Sequence, residues 1–178
     1  MVYGADNVKA YYNSTTHLPI GHVIVVAASD YGTPQETNGD RDIETFIADI
    51  TAERLNHSHR VELYLKLDEE YLKSAEDLYV KGDLTQAGEK YWGAVNALLN
   101  IVGEKLGMSH YSRRDLRELA SYLTEVTHDP EYTRLFSSAE TLYANFYHGF
   151  LGKESFNAHR EDVIKLIMKL RTYLNINT

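Results

Sequence analysis

The stretch Lys81-Gly82-Asp83-Leu84-Thr85-Gln86-Ala87-Gly88-Glu89-Lys90-Tyr91-Trp92-Gly93-Ala94 reads as the corner between two long helices. Gly82 stands where a helix calls for a residue that tolerates a left-handed conformation after its last turn. Asp83 then brings a side-chain oxygen to the free N–H groups of the next helix. The small residues Ala87, Gly88, Gly93 and Ala94 let another helix come close, and the single tryptophan, Trp92, sits among them.

Outward from this corner the chain is helical in period from residue 60 to its end. A first long helix over 60–81 places Tyr64, Leu67, Tyr71, Ala75 and Leu78 on one stripe. The second, over 84–106, does so with Ala87, Tyr91, Ala94, Leu98 and Val102 and stops at Gly107. The third starts after Ser112 as N-cap, uses Leu116, Leu119, Ala120 and Leu123, and ends near His128-Asp129-Pro130. The fourth, over 130–150, is strongly aromatic (Tyr132, Phe136, Tyr143, Phe146, Tyr147, Phe150), and Gly152 closes it. The fifth begins near Ser155 and carries Val163, Leu166, Ile167, Leu170 and Leu174. Short links make sequential helices antiparallel neighbours. The expectation is an all-α antiparallel bundle of about five helices over 60–178, with the second and fourth helices sharing an interior that holds Trp92 and Phe146.

Residues 1–59 read differently, as an arm. Residues 1–20 lack a sustained period, His22 to Ser29 is a β-branched run that reads as a strand, and Ile43, Phe46, Ile47 and Ile50 give a short amphipathic helix over 42–55. His57-Ser58-His59 reads as a polar break. A lone strand leaves backbone groups unpaired, so pairing near residues 2–12 or with the same segment of a second copy is expected, the latter making a homodimer.

The chain has 178 residues, 43 % of them apolar and 25 % charged, as in globular proteins. It contains no cysteine, which excludes disulfides, thiolate nucleophiles and zinc–thiolate sites. With no long apolar run and no leader-like segment, no membrane association and a cytoplasmic location are expected. The net charge is −8. Residues 1–59 hold three basic residues, Lys9, Arg41 and Arg54, against eight carboxylates, so a large nucleic-acid surface is not indicated.

The blocks Tyr71-Leu72 to Ala75-Glu76, Gly82-Asp83, Gln86-Ala87-Gly88-Glu89-Lys90, Trp92-Gly93-Ala94, Asp129-Pro130-Glu131, Leu135-Phe136 and Leu142-Tyr143-Ala144-Asn145-Phe146-Tyr147 resemble the archaeal PaREP family of helical proteins, related to the HEPN superfamily of bundles. The likeness covers about residues 60–175. It implies an HEPN-like bundle. Many HEPN domains are metal-independent ribonucleases, with an arginine, four to six residues, then a histidine, in a cleft between two protomers. Histidine moves protons near neutral pH, and arginine holds the scissile phosphate. The matching histidine here is His148, but Thr141, Leu142 and Tyr143 stand where the arginine should. One half of that machinery is missing.

Two groups of candidate residues follow. Tyr143, Asn145, Tyr147 and His148 would line a polar slot, with His148 as general base or RNA contact; otherwise His148 is a partly buried histidine satisfied by a neighbour, and the tyrosines are core. Arg113, Arg114 and Arg117 follow Ser112, with His110 just before. Cations are disfavoured at a helix N-terminus, so a bound phosphate, nucleotide or RNA backbone held by these arginines, Ser112 and free N–H groups would explain them. The plainer reading is a solvated face with Arg114 paired to Glu118.

Other features need no ligand. Asp68-Glu69-Glu70 reads as a wet face. Arg160, Lys165, Lys169 and Arg171 match the helix dipole and pair with Glu161 and Asp162. No Glu-x-x-His pair for a metal, no nucleophile elbow and no glycine-rich phosphate loop occurs, so neither metal nor cofactor is expected. Three functions follow: a non-catalytic binding or regulatory module for a nucleotide, RNA or protein partner; a ribonuclease that takes its cation from elsewhere; and a purely structural homodimer.

Overall fold

The computed structural model of the chain describes residues 56–176, and the expected strand over 22–29 and short helix over 42–55 lie outside them. Among the described residues there are five helices and no strand: α1 (His57–Lys81), α2 (Leu84–Leu106), α3 (Arg113–Thr127), α4 (Glu131–His148) and α5 (Lys153–Leu174). None is long and apolar enough to cross a membrane.

The corner behaves as its residues dictate. Gly82 ends α1 at φ +82, and the Asp83 carboxylate accepts from the Gln86 N–H at 3.1 Å to open α2. Three boundaries differ from expectation. The run His57-Ser58-His59 is not a break; it forms the first turn of α1, capped by the Asn56 side chain accepting from His59 N–H at 3.0 Å. Helix α4 ends at His148 because Gly149 turns left-handed at φ +56, while Gly152 serves instead as the N-cap of α5, which begins at Lys153. Phe150 therefore lies in the link, and it is 55 % exposed.

Helix α2 is the axis of the bundle, touching each of the other four helices. Its small residues face two neighbours. A Cβ on Gly88 would lie 2.6 Å from the Leu142 carbonyl oxygen of α4, and one on Gly93 would lie 3.0 Å from the Tyr71 ring of α1. Trp92, 5 % exposed, packs on Phe136 and stacks on Tyr143, both of α4. Phe146 is half-buried at the rim of this interior, edge-on to Tyr147. The buried stripes of α3 and α5 are the expected ones.

Charged groups tie α5 across the bundle, to other helices rather than to Glu161 and Asp162. Arg160 Nη2 meets Glu76 of α1 at 2.5 Å, Lys165 meets Glu131 at 2.5 Å, and Lys169 bonds Asp129. Hydrogen bonds from Lys165 and Lys169 hold Glu131 down at about 2. Asp68, far from wet, is 1 % exposed, and its Oδ2 accepts from Arg171 Nε and Nη2 at 2.9 and 2.6 Å. Glu69 and Glu70 are exposed as expected.

Candidate functional site

Helices α3 and α4 run antiparallel across a link of three residues, 128–130, so the start of α3 meets the end of α4. Thr124 bonds Thr133 at one end of the pair, and Arg117 Nη2 meets Glu140 at 2.6 Å farther along. At the other end the Arg113 guanidinium lies over the Tyr143 ring, 4.9 Å from its centre. The two groups of candidates, thirty positions apart in the chain, thus meet at one place.

Tyr143 is buried, and its ring stacks on Trp92 at 5.2 Å with an interplanar angle of 21°. Its hydroxyl shares a 2.8 Å hydrogen bond with that of Tyr147, and the two rings meet edge to face at 5.2 Å. Tyr147 is 49 % exposed. His148, on the last turn of α4, is exposed rather than partly buried, and its ring lies 6.4 Å from that of Tyr147. The cluster therefore grades from a buried tryptophan outward to wet aromatic edges and a titratable imidazole, with one guanidinium across it. Cation–π contact and aromatic stacking fix these rings at little entropic cost.

Asn145 does not join them. Residues two apart on a helix face opposite sides, and Asn145 is buried with its Oδ1 accepting from Leu151 N–H at 2.7 Å. It ties the α4–α5 link to the bundle.

The N-terminus of α3 is closed by its own chain. Ser112 Oγ accepts from Asp115 N–H at 3.2 Å. The Asp115 carboxylate accepts from Ser112 N–H at 3.0 Å, Tyr111 N–H at 3.1 Å and Ser109 Oγ at 2.7 Å. Partial burial opposes ionisation of Asp115, but these hydrogen bonds outweigh it and hold the carboxyl below its ordinary range. A carboxylate thus sits where an external anion was expected. The three arginines also diverge: Arg114 Nε pairs with Glu118 at 2.9 Å, Arg117 with Glu140, and Arg113 turns to Tyr143.

His110, counted with the arginines by proximity in sequence, is buried and faces away from α3 toward Glu104 on the last turn of α2. Glu104 also meets Arg60 Nε at 2.7 Å and His57 Nδ1 at 3.0 Å. Nothing in the sequence signals this cluster, because it joins three separate segments. Among the described residues no group of three or more His, Asp or Glu side chains is placed to hold a metal ion.

No curated protein and no solved structure matches the chain. A family model matches residues 63–167, more than half of the chain and all of the ground between the middle of α1 and the middle of α5. That span includes the Arg113–Tyr143–Tyr147 cluster, Trp92 beneath it and the α1–α2 corner: the chain belongs to the archaeal PaREP1/PaREP8 family.

Proposed function

We propose that this protein is a non-catalytic binding module whose contact surface is the edge formed by Arg113, Tyr143, Tyr147 and His148. The observation that carries the reading is the Arg113 guanidinium held over a tyrosine that stacks on buried Trp92, beside exposed Tyr147. Guanidinium planes and aromatic rings on a rigid base suit a flat heteroaromatic ring linked to a phosphate, as in a nucleotide or an unpaired stretch of RNA. Stacking supplies most of the affinity here and phosphate contact little, because Arg114 and Arg117 are already engaged by Glu118 and Glu140 and the chain carries a net charge of −8. Binding is therefore expected to be weak and to change little with salt.

Trp92 reports on the surface directly. Its fluorescence is to be followed during titration with a mononucleotide and with a short unpaired RNA, at low and at physiological salt. Saturable binding that Arg113→Ala and Tyr147→Ala both weaken by about tenfold supports the reading, a loss in the range of one stacked base. No binding by the parent up to millimolar ligand removes it and leaves a protein partner.

The ribonuclease reading keeps one specific support. Tyr143, five residues before His148, is a position where the HEPN motif has its arginine, and Arg113 of α3 brings a guanidinium there. Labelled RNA incubated with the parent, His148→Ala and Arg113→Ala decides it. Equal background cleavage by all three ends the nuclease reading. The structural homodimer rests on residues outside the described ones, and nothing in the bundle favours it.

A further inference from the structure

We propose that Nε2 of His57 is a phosphoryl-accepting nucleophile, held in position by the buried carboxylate of Glu104. His57 stands in the first turn of α1, and Glu104 in the last turn of α2. The Glu104 side chain is 5 % exposed and is held from two sides. Arg60 Nε lies 2.7 Å from its Oε1, and His57 Nδ1 lies 3.0 Å from its Oε2. The His57 side chain itself is 54 % exposed.

The contact to Oε2 fixes where the ring hydrogen sits. It is an aligned hydrogen bond, and a carboxylate oxygen only accepts, so Nδ1 bears the hydrogen. In the singly protonated ring Nε2 then carries the lone pair. It makes no hydrogen bond to a described residue, and more than half of the side chain meets solvent. Among the described residues no other histidine has this arrangement. His110 is buried, and His159 turns Nδ1 to the Ser138 hydroxyl rather than to a carboxylate. His59, His128 and His148 are exposed, and no described side chain fixes which of their ring nitrogens bears the hydrogen.

The pair has the chemistry of an oriented nucleophile. As Nε2 shares its lone pair with an electrophile, positive charge spreads over the ring. The carboxylate behind Nδ1–H stabilises that charge and holds the ring in place. The surroundings select a phosphoryl group. The first turn of α1 holds no acidic side chain, and its N–H groups favour negative charge. Arg60, one turn on, adds a cation close to the ring, since both reach the same carboxylate. Glu62, the first acid within α1, is engaged by Lys66 at 2.9 Å.

The step balances without oxidation. The Nε2 lone pair forms the N–P bond as the bond from phosphorus to the donor's leaving atom breaks, and that electron pair departs with the leaving group. The donor class is a phosphoramidate, which releases an amine, or an acyl phosphate, which releases a carboxylate. Neither departure takes a proton from His57, so the Nδ1 hydrogen stays in its bond to Glu104. The inference does not depend on what the Arg113 surface binds.

The full 178-residue chain is to be incubated with phosphoramidate at neutral pH. Phosphorus NMR distinguishes an Nε2 from an Nδ1 phosphoryl group, and peptide mass spectrometry over time gives the rate at each histidine. His57 is expected to react at Nε2 about tenfold faster than His128 and His148 of the same chain, the low end of what a carboxylate behind an imidazole contributes. Glu104→Gln should bring His57 down to the rate of those two and leave theirs unchanged. His57→Ala should remove the fast signal. A His57 that reacts no faster than His128 and His148, or that reacts at Nδ1, overturns the proposal. So does Glu104→Gln with the advantage of His57 intact. If Glu104→Gln does not fold, the rates at the three histidines of the parent decide alone.

Discussion

Gly88 and Gly82 show two different reasons for a missing side chain, and they separate experimentally. At Gly88 the backbone is ordinary helix, and the obstacle is the Leu142 carbonyl of α4, 2.6 Å from where a Cβ would sit. Main chain opposes main chain, so the helices themselves must part. Gly88→Ala is expected to lose about 1–3 kcal/mol, the range for overpacking an interior. At Gly82 nothing lies within 4 Å, and the cost is the left-handed backbone alone, φ +82. Gly82→Ala is expected to lose about 1 kcal/mol through strain at one residue. Urea unfolding of both variants checks the order. If Gly82→Ala is the more damaging, α2 and α4 do not touch as closely as described.

At the scale of elements, Arg160 fastens α5 to the two helices that meet at the corner. Its Nε donates to the Tyr91 hydroxyl at 2.5 Å and its Nη2 to Glu76, and its plane lies 4.4 Å from the centre of the Tyr79 ring. Tyr91 passes its own hydrogen to Glu76 at 2.7 Å. Burial drives the Tyr91 hydroxyl well above its ordinary range, and the bond to Glu76 adds to this, so it remains a donor. Lysine has one compact head and cannot serve both acceptors and the ring. Arg160→Lys is expected to cost about 1–3 kcal/mol in urea unfolding, with Tyr91 left short of a donor. A variant as stable as the parent would show that the fork is ornamental. None of these pairings was legible in the sequence, because Glu76 and Arg160 lie 84 residues apart. What was legible is local: Gly82, Asp83, Gly107 and Ser112 act within one turn of where they stand. The first turn of α1 escaped notice because His57, Ser58 and His59 are all exposed, and a turn without a buried side has no apolar period to read. The candidate site was half legible. Its aromatic members announced themselves in α4, and its arginine came from α3 only once the antiparallel pairing was formed.

For the whole molecule, the distribution of carboxylates sets an unusual response to pH. Asp115, Asp129 and Glu131 have their carboxyls held below the ordinary range, so each contributes stability that is present above about pH 4 and lost as pH falls. Asp68 acts in the opposite sense. Burial raises it to about 6, and the two hydrogen bonds from Arg171, which pull the other way, do not offset this. Both of those bonds fall on Oδ2, leaving Oδ1 buried without a hydrogen-bond partner, and a proton there removes the uncompensated charge. The unfolded chain releases that proton near pH 4 and the folded chain near 6. Between those values the folded state binds the extra proton, so this group destabilises as pH rises through the window and its cost is complete above it. The size is on the order of 3 kcal/mol. The protein is therefore expected to melt at a higher temperature at about pH 5 than at about pH 7.5. Asp68→Asn, which resembles the protonated form, should remove most of that difference while leaving the loss at still lower pH, which belongs to the other three carboxylates. Melting curves of both proteins across this range test it. A parent more stable at the higher pH, with the variant following the same slope, would mean that Arg171 neutralises Asp68 fully and that the buried Oδ1 carries no penalty.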